Sequence, residues 1–217
     1  MTDRTITNPD VEAYCAAHTS VEPPYLAAVD ADTRASFGSL SVMLTGRMEG
    51  RFLTLLAAMV GARRILEIGT FTGYSALSMA AGMPEGGRLV SCEIEPGHAA
   101  VARANIAASP HADRIEIHEG PALQTLRALP GPFDLVFIDA DKVSYPAYYD
   151  QAVRLLAPHG VIALDNSLRG GDVLDPGARD PGTRAIAALN DRIAADPSVD
   201  AVLLPIRDGV MLVRAKT

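Results

Sequence analysis

Apolar residues along the chain fall into short runs that alternate with longer segments of helical periodicity. The central runs are nearly continuous, as expected for strands of a parallel sheet covered on both faces. Seven β-like runs are predicted, at 64–69, 88–94, 114–120, 133–140, 160–166, 201–207 and 209–215. Helices are predicted between them at about 73–82, 96–108, 121–129, 145–157 and 178–195. This alternation predicts a doubly wound α/β sheet.

Both ends of the chain depart from the alternation. Only Asp208 and Gly209 separate the last two runs, which is typical of a tight hairpin, so the final strand is predicted to run antiparallel. Residues 1–60 contain about three helical stretches and no linker sets them apart. The prediction is therefore a single domain over 1–217, with a helical cap at 1–60 and a Rossmann-like core at 61–217.

Composition narrows the class of protein. The chain has 48% apolar and 21% charged residues, as a soluble globular protein does. Its start, MTDRTITNPD, lacks the apolar region of a secretory signal, and its longest apolar run is far short of a membrane span. Cys15 and Cys92 form no disulfide framework or metal spacing, so each is predicted to be a buried, reduced thiol. A cytoplasmic location is expected.

Net charge excludes one class of partner. The formal charge is −7, and Lys and Arg form no cluster beyond the adjacent pair Arg63 and Arg64. Proteins that bind nucleic acids usually carry a basic stripe, so no nucleic-acid partner is expected. A small-molecule ligand is the expected partner instead.

The segment EIGTFTGYSAL (67–77) predicts a strand, a glycine turn and a helix. In an open α/β sheet such a turn lies at the carboxyl ends of the strands, where ligands bind. Gly69 and Gly73 are spaced G-x-x-x-G rather than the G-x-G-x-x-G of dinucleotide sites, and Glu67 precedes the loop. A carboxylate there repels phosphate and suits a cation. S-adenosylmethionine fits, because it has no phosphate and carries an ammonium and a sulfonium.

Glu93 adds to this prediction. It ends the second predicted strand, 24 residues after Gly69, where an acidic side chain can accept hydrogen bonds from both ribose hydroxyls. The alternative is that the glycines only turn the chain and that Glu93 is a solvated strand end.

Acidic residues also close the fourth and fifth predicted strands, as Asp139 with Asp141 and as Asp165 with Asn166. Adjacent parallel strands would bring these ends together beside the glycine loop. Oxygen ligands without His or Cys suit Mg²⁺, Ca²⁺ or Mn²⁺. The alternative is that Asp139 and Asp165 cap the turns or helices that follow them.

Lys142 follows the acidic residues directly. A lysine beside a divalent cation is pushed toward losing its proton and can then act as a general base. A vicinal diol or catechol could chelate the cation, which would lower the pKa of its hydroxyl. The oxygen would then attack the sulfonium methyl group. The alternative for Lys142 is a surface lysine or an ion pair with Asp141.

The segments EIGTFTGYS, EGPA, FIDADK..Y and DNSL together resemble the cation-dependent O-methyltransferases related to caffeoyl-CoA and catechol O-methyltransferases. The resemblance extends from about Met43 to Val213, and the chain is similar to the short, bacterial-type members. It implies a seven-stranded Rossmann-like sheet, mostly parallel, with an antiparallel final hairpin. Many relatives are dimers, so a homodimer is expected.

The resemblance also implies roles for single residues. Asp139, Asp165 and Asn166 would be metal ligands, Asp139 would also contact the substrate, and Lys142 would be the base. S-adenosylmethionine would be held by Thr45, Glu67, Gly69, Thr70, Ser75, Glu93, Ala122 and Asp141. Thr45 and Ala122 rest on the resemblance alone.

Three residues depart from the family pattern. Arg169 stands where many relatives carry a tryptophan, Gly170 where plant members have a substrate-contacting asparagine, and Arg207 where relatives usually have glycine. The chain is also shorter than the plant enzymes, which argues against a coenzyme A thioester as the acceptor. Arg169 is either a solvated loop residue or the partner of an acidic group on the acceptor.

The function predicted is transfer of a methyl group from S-adenosylmethionine to a hydroxyl of a cation-chelated catechol. A nicotinamide-dependent oxidoreductase is disfavoured by the missing G-x-G-x-x-G. Two alternatives stay open: a metal-independent methyltransferase acting on another nucleophile, and a non-catalytic module that binds S-adenosylmethionine or metal. The N-terminal cap, the Arg169 loop, Tyr145, Tyr148 and Tyr149 are expected to line the acceptor pocket, although the tyrosines could equally belong to the core.

Overall fold

A computed structural model describes residues 6–216 of the chain. Its seven strands form one sheet in the order β3-β2-β1-β4-β5-β7-β6. The strands are β1 (Arg64–Ile68), β2 (Arg88–Glu93), β3 (Ile115–Glu119), β4 (Phe133–Ile138), β5 (Leu156–Leu164), β6 (Val199–Leu204) and β7 (Val210–Ala215). The neighbours from β3 to β5 are parallel, and β7 runs antiparallel to both β5 and β6. The predicted fold class and the antiparallel final strand are confirmed.

Eight α-helices connect or precede these strands within the described residues. They are α1 (Pro9–Ala17), α2 (Pro24–Phe37), α3 (Gly46–Val60), α4 (Tyr74–Gly82), α5 (Pro96–Ala107), α6 (Ala122–Ala128), α7 (Tyr145–Leu155) and α8 (Pro181–Ala195). Several begin with proline in the first turn, where the missing N–H group has no helical partner to lose. Within 6–216, none of the helices combines the length and the apolar character that a bilayer span requires.

Helices cover both faces of the sheet, because the central strands are apolar on both sides. Along β4, Val136 and Ile138 pack toward α7 and α8, whereas Leu135 and Phe137 pack toward α3 and α4. All four side chains are fully buried. This explains why the central runs of the sequence are continuous rather than alternating in polarity.

The helices before β1 join this packing to different extents. Leu53 and Leu56 of α3 pack in the core on the same face of the sheet as Leu135 and Phe137. Leu26 and Val29 of α2 pack with Tyr74 at the start of α4. None of the described residues of α1 is buried. The prediction of a buried thiol is therefore right for Cys92 and wrong for Cys15, which is exposed on α1.

The connection between β6 and β7 is longer than the predicted two-residue turn. β6 ends at Leu204 and β7 begins at Val210, so five residues, 205–209, join them. Pro205 has no N–H group with which to continue a strand ladder. The backbone N–H group of Gly209 instead donates to the carbonyl of Ile206 at 2.8 Å and closes a wider turn.

Several other boundaries differ from the sequence prediction by two to four residues, and the two largest differences have a clear cause. β5 begins at Leu156, because this residue pairs with Phe133 of β4 ahead of a register irregularity, so α7 ends at Leu155. The last helix begins at Pro181, because the carboxylate of Asp180 accepts a hydrogen bond from the Thr183 backbone and caps the helix.

Candidate active site

One cavity of about 1250 Å³ opens at the carboxyl ends of the strands, beside the junction of β1 and β4. The strand order reverses at this junction, which is where open α/β sheets bind ligands. Among the residues predicted for the site, those lining the cavity are Thr45, Gly69, Thr70, Ser75, Glu93, Ala122, Asp139, Asp141, Lys142, Asp165 and Asn166. The remaining one, Glu67, is fully buried behind the glycine loop.

Gly69 brings the two predicted parts of the site together. Its φ of 100° suits glycine, and a Cβ atom there would lie 2.0 Å from the carbonyl oxygen of Asp139. The glycine loop after β1 can therefore lie directly against the acidic end of β4. Any larger residue would force these two strand ends apart.

Glu93 is held by the backbone of the glycine loop. Its Oε2 atom accepts hydrogen bonds from the N–H groups of Thr70 at 3.2 Å and Phe71 at 2.7 Å. Its Oε1 atom accepts from the N–H group of Glu95 at 2.9 Å. The side chain is nearly buried, so Glu93 is not the solvated strand end of the alternative interpretation. A carboxylate has further lone pairs, which remain suited to hydroxyl donors from a ligand.

Glu67 supports the glycine loop through a chain of side-chain hydrogen bonds. The Ser91 hydroxyl donates to its Oε2 atom, and the Ser91 hydroxyl is also hydrogen-bonded to that of Thr70. Burial raises the pKa of Glu67 to about 7, a rise that the hydrogen bond from Ser91 opposes. Glu67 therefore lies one layer behind the cavity surface rather than on it.

The acidic end of the cavity is built by the residues that directly follow β4 and β5. The N–H group of Asp139 donates to Ile68 of β1, and that of Asp165 donates to Ile138 of β4, which fixes both residues to the sheet. Burial and the nearby charge of Asp139 raise the pKa of the Asp165 carboxyl, and Lys142 opposes this rise. Asn166 follows with a φ of 54°, a left-handed conformation that asparagine tolerates.

Lys142 points at Asp139 rather than at Asp141. Its Nζ atom donates to Asp139 Oδ1 at 2.8 Å and to the Tyr145 hydroxyl at 2.8 Å. The Tyr145 hydroxyl lies 3.1 Å from the carbonyl oxygens of both Ile138 and Asp165, to which it can donate. Lys142 is thus neither a freely solvated lysine nor the partner of Asp141. Its side chain is only 16% exposed.

Asp141 is hydrogen-bonded to residues that follow it in the chain. Its carboxylate accepts hydrogen bonds from the Ser144 N–H group at 3.1 Å and from the Tyr148 hydroxyl at 2.5 Å. Asp141 therefore caps the short 3₁₀ turn that follows, a role that the alternative interpretation gave to Asp139 and Asp165 instead. It still lines the cavity.

The three tyrosines of α7 divide between core and cavity. Tyr145 and Tyr149 are buried in the core, and Tyr148 lines the cavity. Burial, with the charge of Asp139, raises the pKa of Tyr145 well above its ordinary value, so its hydroxyl stays protonated. Arg169 also lines the cavity and is 24% exposed, with its Nη2 atom 3.6 Å from Asp180.

Glu49 is a buried acidic residue that the sequence interpretation missed. It lies in the first turn of α3 with 0% exposure and contacts Arg207, whose Nη1 atom is 3.3 Å from Glu49 Oε2. Burial and the charge of Asp165 raise the pKa of Glu49 well above its ordinary value, and Arg207 opposes the rise. The available signal was its position four residues before Leu53, on the apolar face of α3.

The fold and its cavity define a Rossmann-like α/β protein with a cavity at the reversal of strand order, where open α/β sheets bind ligands. A family model described as O-methyltransferase matches residues 16–216. The chain belongs to the O-methyltransferase family, and the resemblance found in its sequence is confirmed at that level.

Individual relatives match over nearly their whole length. A catechol O-methyltransferase of Mycobacterium tuberculosis is 42% identical over 199 residues, covering 90% of this chain and 88% of the relative. An O-methyltransferase from Bacillus cereus, solved in complex with SAH, has a TM-score of 0.87 and 36% identity, covering 95% of this chain and 97% of its own. TomG from Streptomyces achromogenes, solved with SAM, has a TM-score of 0.88 and 33% identity, with 96% of each chain covered.

Proposed function

We propose that this O-methyltransferase transfers a methyl group from S-adenosylmethionine to one hydroxyl of a catechol-type small molecule. In this proposal Asp139, Asp165 and Asn166 would hold a divalent cation such as Mg²⁺, to which the acceptor diol would bind, and Lys142 would be the general base. The observation that carries the proposal is the contact of Lys142 Nζ with Asp139 at 2.8 Å, within the cavity that the glycine loop also lines.

The end of the cavity that is lined by the glycine loop and Glu93, called the cofactor end below, supports S-adenosylmethionine as the methyl donor. The two solved relatives described above were obtained with SAH and with SAM. Glu93 is positioned by three backbone N–H groups, so its remaining lone pairs could accept both ribose hydroxyls. We assign Gly69, Thr70 and Ser75 to the loop beside the cofactor. The other proposed contacts are Thr45, Ala122 and Asp141 on the cavity surface, with Glu67 supporting the loop from behind.

The acidic end fits a divalent cation. Among the described residues, no group of three or more His, Cys, Asp and Glu side chains forms a possible metal site. The proposed metal ligands are therefore two carboxylates and one side-chain amide. Burial and the charge of Asp139 raise the pKa of Asp165, as expected where two carboxylates lie near each other without a bound cation. A cation held by Asp139, Asp165 and Asn166 would remove the repulsion between these charges, and an all-oxygen ligand set suits Mg²⁺. When bound, it would act as a Lewis acid that stabilises a deprotonated hydroxyl.

Lys142 is placed to move the proton. Tyr145 fixes its Nζ atom from the core side, because the Tyr145 hydroxyl is itself held by two backbone carbonyls. In its neutral form, Nζ could accept the proton of the acceptor hydroxyl that lies beside Asp139. The oxygen would then attack the methyl carbon in line, and the electron pair of the broken carbon–sulfur bond would leave with sulfur.

The proposal is tested by transfer of a labelled methyl group from S-adenosylmethionine to a panel of catechols. Each catechol is paired with the same ring carrying a single hydroxyl, and each reaction is run with Mg²⁺ and with EDTA. We expect turnover of the diols only, and only with Mg²⁺. Turnover that persists in EDTA would support a metal-independent methyltransferase. Cofactor binding without turnover of any acceptor would support the non-catalytic alternative.

A homodimer in the cytoplasm completes the proposal. Both features come from the sequence and its family resemblance. Sedimentation of the purified protein across a range of concentrations would test the dimer, and a monomer at all concentrations would refute it.

A further inference from the structure

Arg207 lies in the loop between β6 and β7, at the rim of the cavity. Its backbone has a φ of 48°, a left-handed conformation that costs free energy for any residue with a Cβ atom. The side chain is only 25% exposed. It reaches a part of the chain 163 residues earlier. A strained backbone at a cavity rim persists only where the surrounding contacts compensate for it, so the contacts of this guanidinium are informative.

These contacts converge on the segment that precedes α3. Nη1 of Arg207 donates to the carbonyl oxygen of Leu44 at 2.9 Å and also to that of Thr45. Leu44 and Thr45 are nearly buried, each with 4% exposure, and both line the cavity. Arg207 therefore joins the β6–β7 loop to one side of the cavity by holding its backbone carbonyls.

Glu49 gives the guanidinium a further hydrogen-bond acceptor on α3. Glu49 lies in the first turn of α3 and accepts a hydrogen bond from Arg207 Nη1 at 3.3 Å. A guanidinium stays charged in proteins, so its hydrogen bonds are charge-assisted and stronger than neutral ones.

We propose that Arg207, together with Glu49, is a positioning residue that holds Leu44 and Thr45 in the conformation that binds the methyl donor. It acts through the two backbone carbonyls and does not touch the reacting atoms. The inference rests on the proposed function, because Thr45 is a proposed contact of S-adenosylmethionine. It adds a determinant of cofactor affinity in a loop that follows the penultimate strand, far from the glycine loop in sequence.

The test compares Arg207→Gly, Arg207→Lys and Arg214→Ala with the wild-type protein. Glycine suits the left-handed backbone, so Arg207→Gly removes the guanidinium without adding strain. Lysine keeps the charge but lacks the planar fork of donors. Arg214 is the matched control, because it lies in β7 of the same hairpin and forms an exposed ion pair with Asp200.

Calorimetric titration with S-adenosylmethionine and steady-state kinetics give the main readouts. For Arg207→Gly we expect Kd and KM for S-adenosylmethionine to rise about tenfold, with kcat and the acceptor KM nearly unchanged. Arg207→Lys should lie between this variant and the wild type, and Arg214→Ala should match the wild type. Unchanged cofactor affinity in Arg207→Gly, or a loss of kcat alone, would overturn the inference.

Hydrogen exchange separates this inference from the proposed function. In the absence of any ligand, the backbone amides of residues 44–49 should exchange faster in Arg207→Gly than in the wild type or in Arg214→Ala. Equal exchange rates would overturn the inference even if the enzyme methylates catechols. Failure of the wild-type protein to bind S-adenosylmethionine would instead overturn the proposed function, and with it the assignment of this segment to the methyl donor.

Discussion

The two ends of the cavity use carboxylates in opposite ways. At the cofactor end, Glu93 accepts hydrogen bonds from three backbone N–H groups of the loops around it. At the acidic end, Asp165 accepts one such bond, from Asn166 at 2.6 Å, and Asp139 lies close enough to raise its pKa. The chain itself balances the charge of Glu93, whereas it leaves two carboxylates repelling each other at the ends of β4 and β5.

This difference indicates where a bound cation contributes most. Backbone N–H groups fix Glu93 in place before any ligand arrives, which lowers the cost of binding. At the acidic end, Lys142 is a direct counter-charge to Asp139, with its Nζ atom 2.8 Å from Asp139 Oδ1. A bound divalent cation should therefore strongly stabilise the carboxylates at the acidic end and have a negligible effect on Glu93 at the cofactor end.

Removing the base at the acidic end should have the largest effect. For Lys142→Ala we expect kcat to fall by about 10²–10⁴-fold, the usual contribution of general base catalysis, with unchanged affinity for S-adenosylmethionine. Lys142→Arg is the matched control, because it keeps the charge but cannot lose its proton, and it should be equally slow. Steady-state methyl transfer measures both variants. A Lys142→Arg enzyme with substantial turnover would show that Lys142 serves as a charge and not as a base.

Loss of the carboxylate at the cofactor end should affect binding rather than chemistry. We expect Glu93→Ala to raise Kd for S-adenosylmethionine by about ten- to a hundredfold, because the Thr70 and Phe71 N–H groups lose their acceptor. Calorimetry measures this change. Glu119 is the control: it ends the neighbouring strand β3 and pairs with Arg103 on the surface. If Glu119→Ala weakened binding as much, the special position of Glu93 would be refuted.

Glu67 should make the stability of the ligand-free protein depend on pH. Its pKa is raised from 4.5 to about 7, so the folded state keeps a proton that the unfolded state has already lost in this interval. The free energy of unfolding should therefore fall as pH rises from 4.5 to about 7. Glu67 should contribute about 3 kcal/mol to this fall, so the fall should be smaller by that amount in Glu67→Gln. Urea denaturation at a series of pH values measures it, and parallel curves for the two proteins would contradict the prediction.

Arg169 should give the smallest effect, on the choice of acceptor. The Arg169 side chain lines the cavity, and its ion pair with Asp180 is long at 3.6 Å. We expect Arg169→Ala to raise KM about threefold for catechols that carry a carboxylate, because partly exposed ion pairs are weak. Neutral catechols serve as the control and should be unaffected. Equal effects on neutral and acidic catechols would assign Arg169 to the structure of its loop.

The sequence predicts the sheet well because burial on both faces imposes a clear pattern. Continuous apolar residues in β4 are required where Val136 and Phe137 pack against opposite layers. The convergence of Asp139 and Asp165 is equally predictable, because parallel strands end at the same edge. Gly69 is predictable as well, since only glycine allows the loop to approach Asp139 so closely.

Other features depend on contacts that no local pattern records. The hydrogen bond between Arg207 and Glu49 joins residues 158 positions apart. The direction of the Asp141 side chain is decided by Tyr148 and Ser144, one of them seven residues later. The exposure of Cys15 follows from the weak packing of α1, which its composition does not reveal.

The central claim is that a divalent cation completes the acidic end of the cavity. Calorimetric titration of Mg²⁺ into the protein, with S-adenosylmethionine and a catechol present, tests it most directly when wild type and Asp165→Asn are compared. Asparagine preserves the shape of the side chain while removing one ligand charge. We predict saturable Mg²⁺ binding in the wild type and binding weakened at least tenfold in the variant, with turnover lost in parallel. Methyl transfer by a wild-type protein that binds no Mg²⁺, or equal binding by both proteins, would contradict the claim.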